Sequence, residues 1–94
     1  MRERAKQVSK LLSHLANENR LLILCALLEG PLTVGEILKE VNNITAPALS
    51  QHLNRLKEGG IIDSEKDKQH VIYFIADDRI REVMEVLRRE YCTE

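Results

Sequence analysis

Long hydrophobic runs are missing from this 94-residue chain. The longest uncharged apolar run, residues 21–28, has eight residues, whereas a membrane-spanning helix needs about twenty. The first residues mix charges with isolated apolar positions, which is not the pattern of a secretory leader. Only two prolines and four glycines occur, and no stretch is a linker, a repeat or a low-complexity segment. We therefore expect one cytoplasmic domain over residues 1–94.

An excess of one charge sign is also missing, since 14 Lys and Arg stand against 15 Asp and Glu. Any contact with nucleic acid must therefore depend on a local surface rather than on the field of the whole protein. The two cysteines, Cys25 and Cys92, are too few for a disulfide framework and are more typical of reduced or redox-active thiols. The sequence has no glycine-rich phosphate loop and no converging His/Cys/Asp set, so we do not expect an enzyme.

The spacing of apolar residues predicts two helices in the first third of the chain. The first covers residues 4–14, and Asn17 is a favourable N-cap for the second. The second helix continues to about Glu29 and is ended by Gly30-Pro31. Residues 21–28 are apolar nearly all round, which is typical of a helix at the centre of a small domain.

Two shorter helices with clear start signals follow. Thr33 and Glu36 form a capping-box pattern for a helix that runs to about Val41. Thr45 caps the next helix, with Pro47 in the first turn, where a missing N–H has no cost. We expect this fourth helix to end at Gly59-Gly60 and to bury Leu49, Leu53 and Leu56.

The hydrophobic period then changes from that of helices to that of strands. Residues 61–65 and 70–75 are β-prone runs separated by a polar turn, Lys66 to Gln69, and this pattern predicts a hairpin. Asp77 or Asp78 caps a last helix, whose apolar stripe consists of Ile80, Val83, Met84, Leu87 and Tyr91.

The predicted fold class is mainly α with a β-hairpin, in the order α-α-α-α-β-β-α. Two short helices joined by a brief polar turn form a helix-turn-helix, and a hairpin directly after them makes it winged. The first and last helices carry apolar stripes beyond what a small core needs, which favours a homodimer, although they could also cover the core of a monomer. The predicted dimer surface consists of Val8, Leu11, Leu12, Leu15, Ile80, Val83, Met84, Leu87 and Tyr91.

The fourth helix carries small and hydrogen-bonding side chains away from its leucines. Such side chains suit a major groove, where Gln pairs with adenine and Arg with guanine or phosphate. Lysines at the hairpin tip can neutralise phosphates. In each case the alternative is an ordinary solvated surface. The candidate DNA-contacting residues are Thr45, Ala46, Pro47, Ala48, Ser50, Gln51, His52 and Arg55 on the helix, and Lys66, Lys68 and Gln69 at the hairpin tip.

Residues 14–24 (HLANENRLLIL) and 50–62 (SQHLNRLKEGGII), with the strand at 71–75 (VIYFI), resemble the ArsR/SmtB family of winged-helix repressors. The resemblance covers about residues 5–92. It implies a homodimer that binds double-stranded operator DNA and releases it when an inducer binds. It also implies that the helix from Thr45 is the recognition helix and that the hairpin is the wing.

Many members of this family sense metals through ligands on the third helix or the last helix. The third helix lacks cysteine, and the last helix has carboxylates but no histidine. His14, His52 and His70 fall on three different elements, whereas zinc needs three or four ligands in one tetrahedral array. We predict no metal site and no cofactor, with His52 facing DNA or serving the structure and His14 structural.

The two cysteines carry a second resemblance. Residues 20–25 (RLLILC) and 90–92 (EYC) are similar to a dithiol subgroup of the family that responds to reactive sulfur or oxidants. This resemblance implies that Cys25 and Cys92 form a thiol sensor, bridged by a disulfide or polysulfide within one protomer, and that the bridge weakens DNA binding. In such exchange a thiolate attacks a polarised sulfur and a second thiol resolves the intermediate. An inert, buried Cys25 and an incidental Cys92 are the alternative.

Two further functions remain open on the sequence. A soft metal or metalloid such as arsenic(III) or mercury(II) could be the inducer, bound by the same two thiolates, although two ligands give little selectivity. The nearly neutral fourth helix is also compatible with a winged-helix protein-interaction module that has no role in DNA binding.

Overall fold

Residues 1–91 are described in the computed structural model, and Cys92 lies outside them. Within this range the helices are α1 (Arg2–Ser13), α2 (Glu18–Leu27), α3 (Val34–Glu40), α4 (Ala46–Glu58) and α5 (Asp78–Tyr91). The strands are β1 (Leu32–Thr33), β2 (Ile62–Asp67) and β3 (His70–Ile75). The predicted fold class is confirmed, with β1 added to the expected order.

Side-chain caps fix where the central helices begin. The Asn17 side chain accepts a hydrogen bond from the backbone N–H of Arg20 at 3.1 Å, which starts α2. Thr33 and Glu36 exchange two hydrogen bonds, Glu36 N–H to Thr33 Oγ1 at 3.2 Å and Thr33 N–H to Glu36 Oε1 at 2.8 Å. Thr45 Oγ1 accepts from the third residue of α4, Ala48. These contacts satisfy N–H groups that a helix leaves unpaired at its start, as the sequence predicted.

The three strands form one antiparallel sheet in the order β1-β3-β2. The hairpin turn is tighter than the sequence predicted, because Asp67 pairs with His70 and only two residues remain between the strands. Lys68 makes this turn possible by adopting a positive φ of 60°. The additional strand β1 pairs Leu32 with Tyr73, so it joins the wing to the segment between α2 and α3.

The core is built around α2, whose Ile23, Leu24 and Leu27 are fully buried. The inward face of α4 completes it through Leu49, Leu53 and Leu56, as predicted. Among the described residues, no helix is both long and apolar enough to cross a membrane.

Three residues of the predicted dimer surface lie in this core instead. Leu15, Ile80 and Met84 are only 6%, 1% and 2% exposed in the single chain, so they have almost no surface to give to a partner. A helical stripe shows which residues share a face but not whether that face meets the same chain or another. The other residues of the set divide into Leu11 and Leu87, partly buried against the core, and Val8, Leu12, Val83 and Tyr91, which are exposed.

Candidate functional site

Helix α4 presents its polar face to solvent because its three leucines anchor the opposite face. Of the predicted DNA-contacting residues on or next to this helix, two are half-buried, Ala48 and His52. The others are exposed: Thr45, Ala46, Pro47, Ser50, Gln51 and Arg55. The structure thus brings together on one helix the small and hydrogen-bonding residues that suit a major groove.

The half-buried His52 is connected to another helix. Arg20 on α2 donates its Nε–H to Nδ1 of His52 at a distance of 3.2 Å. Partial burial lowers the pKa of His52 below its usual value, and the positive charges of Arg20 and Arg55 lower it further. No local pattern in the sequence points to Arg20, because the two partners are 32 positions apart.

The wing carries its three predicted DNA-contacting residues, Lys66, Lys68 and Gln69, exposed at the tip of the hairpin. Its base is tied to α4 by a hydrogen bond from Lys57 Nζ to Ser64 Oγ at 2.7 Å. This hydrogen bond helps to fix the wing relative to α4. Lys66 and Lys68 are exposed at its tip, where they can contact phosphates.

The thiol of Cys25 lies between two clefts rather than deep in the core. Cys25 is half-buried and packs against the core. The first cleft, of about 440 Å³, separates α2 from α5, and Leu22, Leu87 and Tyr91 form part of its apolar wall. The second, of about 430 Å³, is more polar and is lined in part by Glu29, Glu40 and Arg88. Tyr91 is the last described residue of α5, and Cys92, the second predicted thiol, lies outside the described range.

Arg88 borders both clefts. Its Nη1 donates to Oε2 of Glu29 at 2.8 Å, and its Nη2 lies 3.1 Å from Oε1 of Glu85. The hydrogen bond to Glu29 and the negative charge of Glu85 raise the pKa of Arg88 above its usual value. The guanidinium thus connects α5 to the end of α2 beside Cys25.

The described residues offer no cluster of three or more His, Cys, Asp or Glu side chains able to hold a metal ion. The histidines lie apart, His14 after α1, His52 on α4 and His70 at the start of β3. His14 packs against Gly59, where an added Cβ would come within 2.8 Å of the imidazole. This close approach places the imidazole of His14 against the end of α4.

A helix-turn-helix formed by α3 and α4, followed by the β2–β3 wing, defines a winged helix-turn-helix regulator. Residues 17–64 match the family described as bacterial regulatory protein, arsR family. The chain belongs to this family and is a DNA-binding transcriptional regulator of the ArsR type.

Curated relatives match nearly the full chain. The HTH-type transcriptional regulator YgaV of Escherichia coli is 36% identical over 88 residues, covering 94% of this chain and 89% of that protein. The transcriptional activator HlyU of Vibrio cholerae is 37% identical, covering 98% and 84%. The biofilm growth-associated repressor of Agrobacterium fabrum is 36% identical, covering 98% and 78%. The family thus contains both an activator and a repressor close to this chain.

Solved structures agree with the fold. Reduced HlyU from Vibrio cholerae superposes with a TM-score of 0.92 at 36% identity, covering 99% of this chain and 97% of that one. The transcriptional repressor BigR from Xylella fastidiosa gives 0.88 at 31% identity, covering 100% and 95%. The DNA-binding domain of Mb0332 from Mycobacterium bovis, described as homodimeric, gives 0.80 at 26% identity, covering 92% and 79%.

Proposed function

We propose that this chain is a homodimeric repressor that binds double-stranded operator DNA and releases it when Cys25 and Cys92 are cross-linked. The inducer is a persulfide, a polysulfide or another thiol oxidant. The observation that carries this proposal is the position of Cys25, half-buried on α2 in a cleft whose opposite wall is α5. Because Cys92 directly follows the last described residue of α5, a bridge between the two thiols would join these two helices covalently.

DNA binding is assigned to α4 and the wing. Exposed Ser50, Gln51 and Arg55 offer the donors and acceptors that read base edges or hold phosphates. Lys66 and Lys68 supply positive charge at the wing tip, while the net charge of the protein is only −1. A protein without a strong overall field needs such a local surface to attract DNA.

The homodimer is assigned to the outer faces of α1 and α5. Val8 and Leu12 on α1 and Val83 and Tyr91 on α5 are exposed, with Tyr91 at 82%. Exposed apolar side chains on two helices of a small chain favour burial against a second copy. The DNA-binding domain of Mb0332 is described as homodimeric, which supports a dimer for this chain. Leu15, Ile80 and Met84 are not part of this surface.

The switch needs only thiol–disulfide chemistry. With an oxidant of the disulfide class, R–S–S–R, one cysteine thiolate attacks one of the two sulfurs, forms a mixed disulfide with one RS group and releases the other as RS⁻. The second cysteine thiolate attacks the sulfur atom of the first cysteine and releases the remaining RS⁻, so the two cysteines are oxidised to a disulfide and the S–S bond of the oxidant is reduced. A persulfide, R–S–SH, can instead transfer its outer sulfur to one cysteine and release RS⁻. If the second cysteine is in a mixed disulfide with an RS group, the terminal sulfur on the first cysteine attacks the sulfur of the second, expels RS⁻ and leaves a trisulfide. Either bridge restrains α5 against α2 and thereby changes the spacing of two recognition helices in a dimer.

The sensing part of the proposal is tested on a duplex selected from a random library by the reduced protein. We expect sodium tetrasulfide to lower the affinity of wild-type protein for this duplex at least tenfold. Cys25→Ser and Cys92→Ser should bind the duplex as the wild type does and should not respond. Ala26→Ser, next to Cys25, is the matched control and should respond normally. A Cys25→Ser protein that still releases DNA on treatment would refute the dithiol mechanism.

The DNA surface is tested by Gln51→Ala. A lost base contact costs about 1–3 kcal/mol, so affinity for the selected duplex should fall between about fivefold and a hundredfold or more. Gln7→Ala on α1 is the matched control and should leave affinity unchanged. If Gln51→Ala and Arg55→Gln both bind like the wild type, α4 is not the DNA-contacting helix.

A further inference from the structure

The contact between Arg20 and His52 has a chemical consequence for the recognition helix. Arg20 Nε donates to His52 Nδ1 at 3.2 Å, and the contact is partly buried. A guanidinium remains protonated in proteins and can only donate hydrogen bonds. The Nδ1 atom that accepts this bond must therefore carry no proton.

Since Nδ1 is unprotonated, a neutral imidazole must carry its proton on Nε2. The neutral form is favoured by partial burial and by the two cations that face the ring, Arg20 from α2 and Arg55 from α4, because all three lower the pKa of His52. At neutral pH the ring is thus a hydrogen-bond donor of fixed tautomer rather than a cation.

We propose that Arg20 is a positioning residue for DNA binding, which holds His52 as the Nε2–H tautomer so that it donates a hydrogen bond to an acceptor on DNA. The inference rests on the proposed function, because it takes α4 as the DNA-contacting helix. His52 lies between Gln51 and Arg55, both exposed on that helix. The acceptor is a phosphate oxygen or a base edge, and the two differ in their effect on sequence preference.

The tautomer itself is tested without DNA. In protein labelled with ¹⁵N-histidine, long-range ¹H–¹⁵N spectra distinguish the two tautomers, and His14→Gln and His70→Gln assign the signals. We expect His52 to be the Nε2–H form at pH 7.5. Arg20→Met, which removes the donor, should give a mixture of tautomers and a higher His52 pKa.

Two further variants separate the hydrogen bond from simple charge and from structure. Arg55→Gln removes a neighbouring cation but not the Arg20 bond, so it should raise the His52 pKa and keep the tautomer. Arg20→Lys keeps a donor and should restore the Nε2–H form at least in part. An Nδ1–H tautomer in the wild type, or an unchanged tautomer in Arg20→Met, would overturn the inference.

The consequence for DNA is measured on the selected duplex. The net value of one hydrogen bond is about 1 kcal/mol, so Arg20→Met and His52→Ala should each lower affinity about fivefold. The double variant should bind no more weakly than His52→Ala, since Arg20 acts through the histidine. A uniform loss over related duplexes identifies a phosphate acceptor, and a relaxed preference at one position identifies a base.

The outcomes distinguish this inference from the proposed function. If His52→Ala binds normally while Gln51→Ala binds weakly, the role of His52 is wrong and the DNA surface on α4 stands. If Arg20→Met weakens binding further on the His52→Ala background, Arg20 acts independently and the positioning role is wrong. If no substitution on α4 affects binding, the proposed DNA surface and this inference both fail.

Discussion

Arg88 on α5 donates to Glu29, two residues beyond the end of α2, with 2.8 Å between Nη1 and Oε2. The pair bridges 59 positions of the chain and lies beside the second cleft at Cys25. Glu40 lines the same cleft, and Glu18 lines the apolar cleft on the other side of the thiol. The two clefts beside Cys25 are therefore lined by three carboxylates and one guanidinium, that of Arg88, whose positive charge is already paired with glutamates.

This charge distribution predicts that Cys25 reacts faster with neutral reagents than with anionic ones. In the Cys92→Ser variant we compare the rates at which iodoacetamide and iodoacetate alkylate Cys25. The ratio of the iodoacetamide rate to the iodoacetate rate should be larger than the same ratio for a small free thiol in solution. Glu29→Gln removes a carboxylate and releases Arg88, so it should speed the iodoacetate reaction about twofold to fivefold at low salt, since charges near a protein surface interact only modestly. Intact-mass time courses give the rates.

Salt provides the control for this effect. Interactions between exposed charges are largely screened at about 1 M salt, so the difference between wild type and Glu29→Gln should disappear there. Glu82→Gln, on α5 but not among the residues lining either cleft, should leave both rates unchanged. An equal effect of Glu82→Gln would show that the clefts do not control access to Cys25.

The wing lysines are expected to determine part of the salt dependence of DNA binding. Each phosphate contact contributes about 0.9 to the slope of log affinity against log salt concentration. Lys66→Gln and Lys68→Gln should each lower the slope by about this amount per protomer and weaken binding to all duplexes alike. Fluorescence anisotropy titrations at several salt concentrations between about 50 and 300 mM measure this slope. Lys6→Gln on α1 is the control. A slope unchanged in the double lysine variant would remove the wing from the DNA interface.

Asp77 is expected to make stability depend on pH. Its carboxylate, in a side chain only 11% exposed, accepts from the N–H of Arg79 at 2.9 Å and pairs with the Arg79 guanidinium. These bonds and the N–H of Ile80 lower the pKa of Asp77, with the Arg79 side chain contributing most. The stabilisation is therefore fully present above the unfolded pKa of about 3.9 and is lost as the pH falls through the lower folded value.

Asp77 caps the start of α5 by accepting from the N–H groups of Arg79 and Ile80. Comparing the wild type with Asp77→Asn isolates the charge of this cap, whereas Asp77→Ala removes the cap itself. Asparagine still caps the helix, so its free energy of unfolding should fall less than that of the wild type on acidification from pH 6 to pH 3. Alanine loses the cap and should cost about 1 kcal/mol at neutral pH. Asp78→Asn is the neighbouring control, and urea unfolding is the measurement. Equal acid sensitivity of wild type and Asp77→Asn would contradict the role of the Asp77 charge, and an Asp77→Ala protein as stable as the wild type at neutral pH would contradict the assignment of the cap.

Local signals in the sequence were sufficient for most of the fold. Thr33, Thr45 and Asn17 mark helix starts by side-chain chemistry that acts within three residues, and each cap is present. Strand β1 was missed because two residues carry no hydrophobic period, and its pairing with β3 depends on a contact across 41 positions, Leu32 to Tyr73. The sequence predicted a turn from Lys66 to Gln69, whereas only Lys68 and Gln69 lie between the paired strands. A lysine at positive φ, such as Lys68, is uncommon, so no residue pattern indicates the shorter turn.

The candidate DNA-contacting surface was predictable from local patterns, namely the polar face of α4 and the polar tip of the hairpin. The exposed polar face of α4 followed directly from the burial of its leucines. The contact of Arg20 with His52 and that of Arg88 with Glu29 join separate elements, so no local spacing reveals them. Leu15, Ile80 and Met84 were misassigned to a dimer surface for the same reason, because the folded chain decides which apolar stripe meets its own core.

The most direct test of the proposed switch combines intact mass with DNA affinity in the same anaerobic samples. Reduced protein is treated with sodium tetrasulfide or glutathione persulfide, and parallel samples receive hydrogen peroxide or glutathione disulfide. The account predicts a loss of two hydrogen atoms, with or without a gain of whole sulfur atoms, a peptide that links Cys25 to Cys92, and weakened operator binding. Protein that keeps both thiols open to alkylation and binds DNA unchanged after every treatment would contradict it.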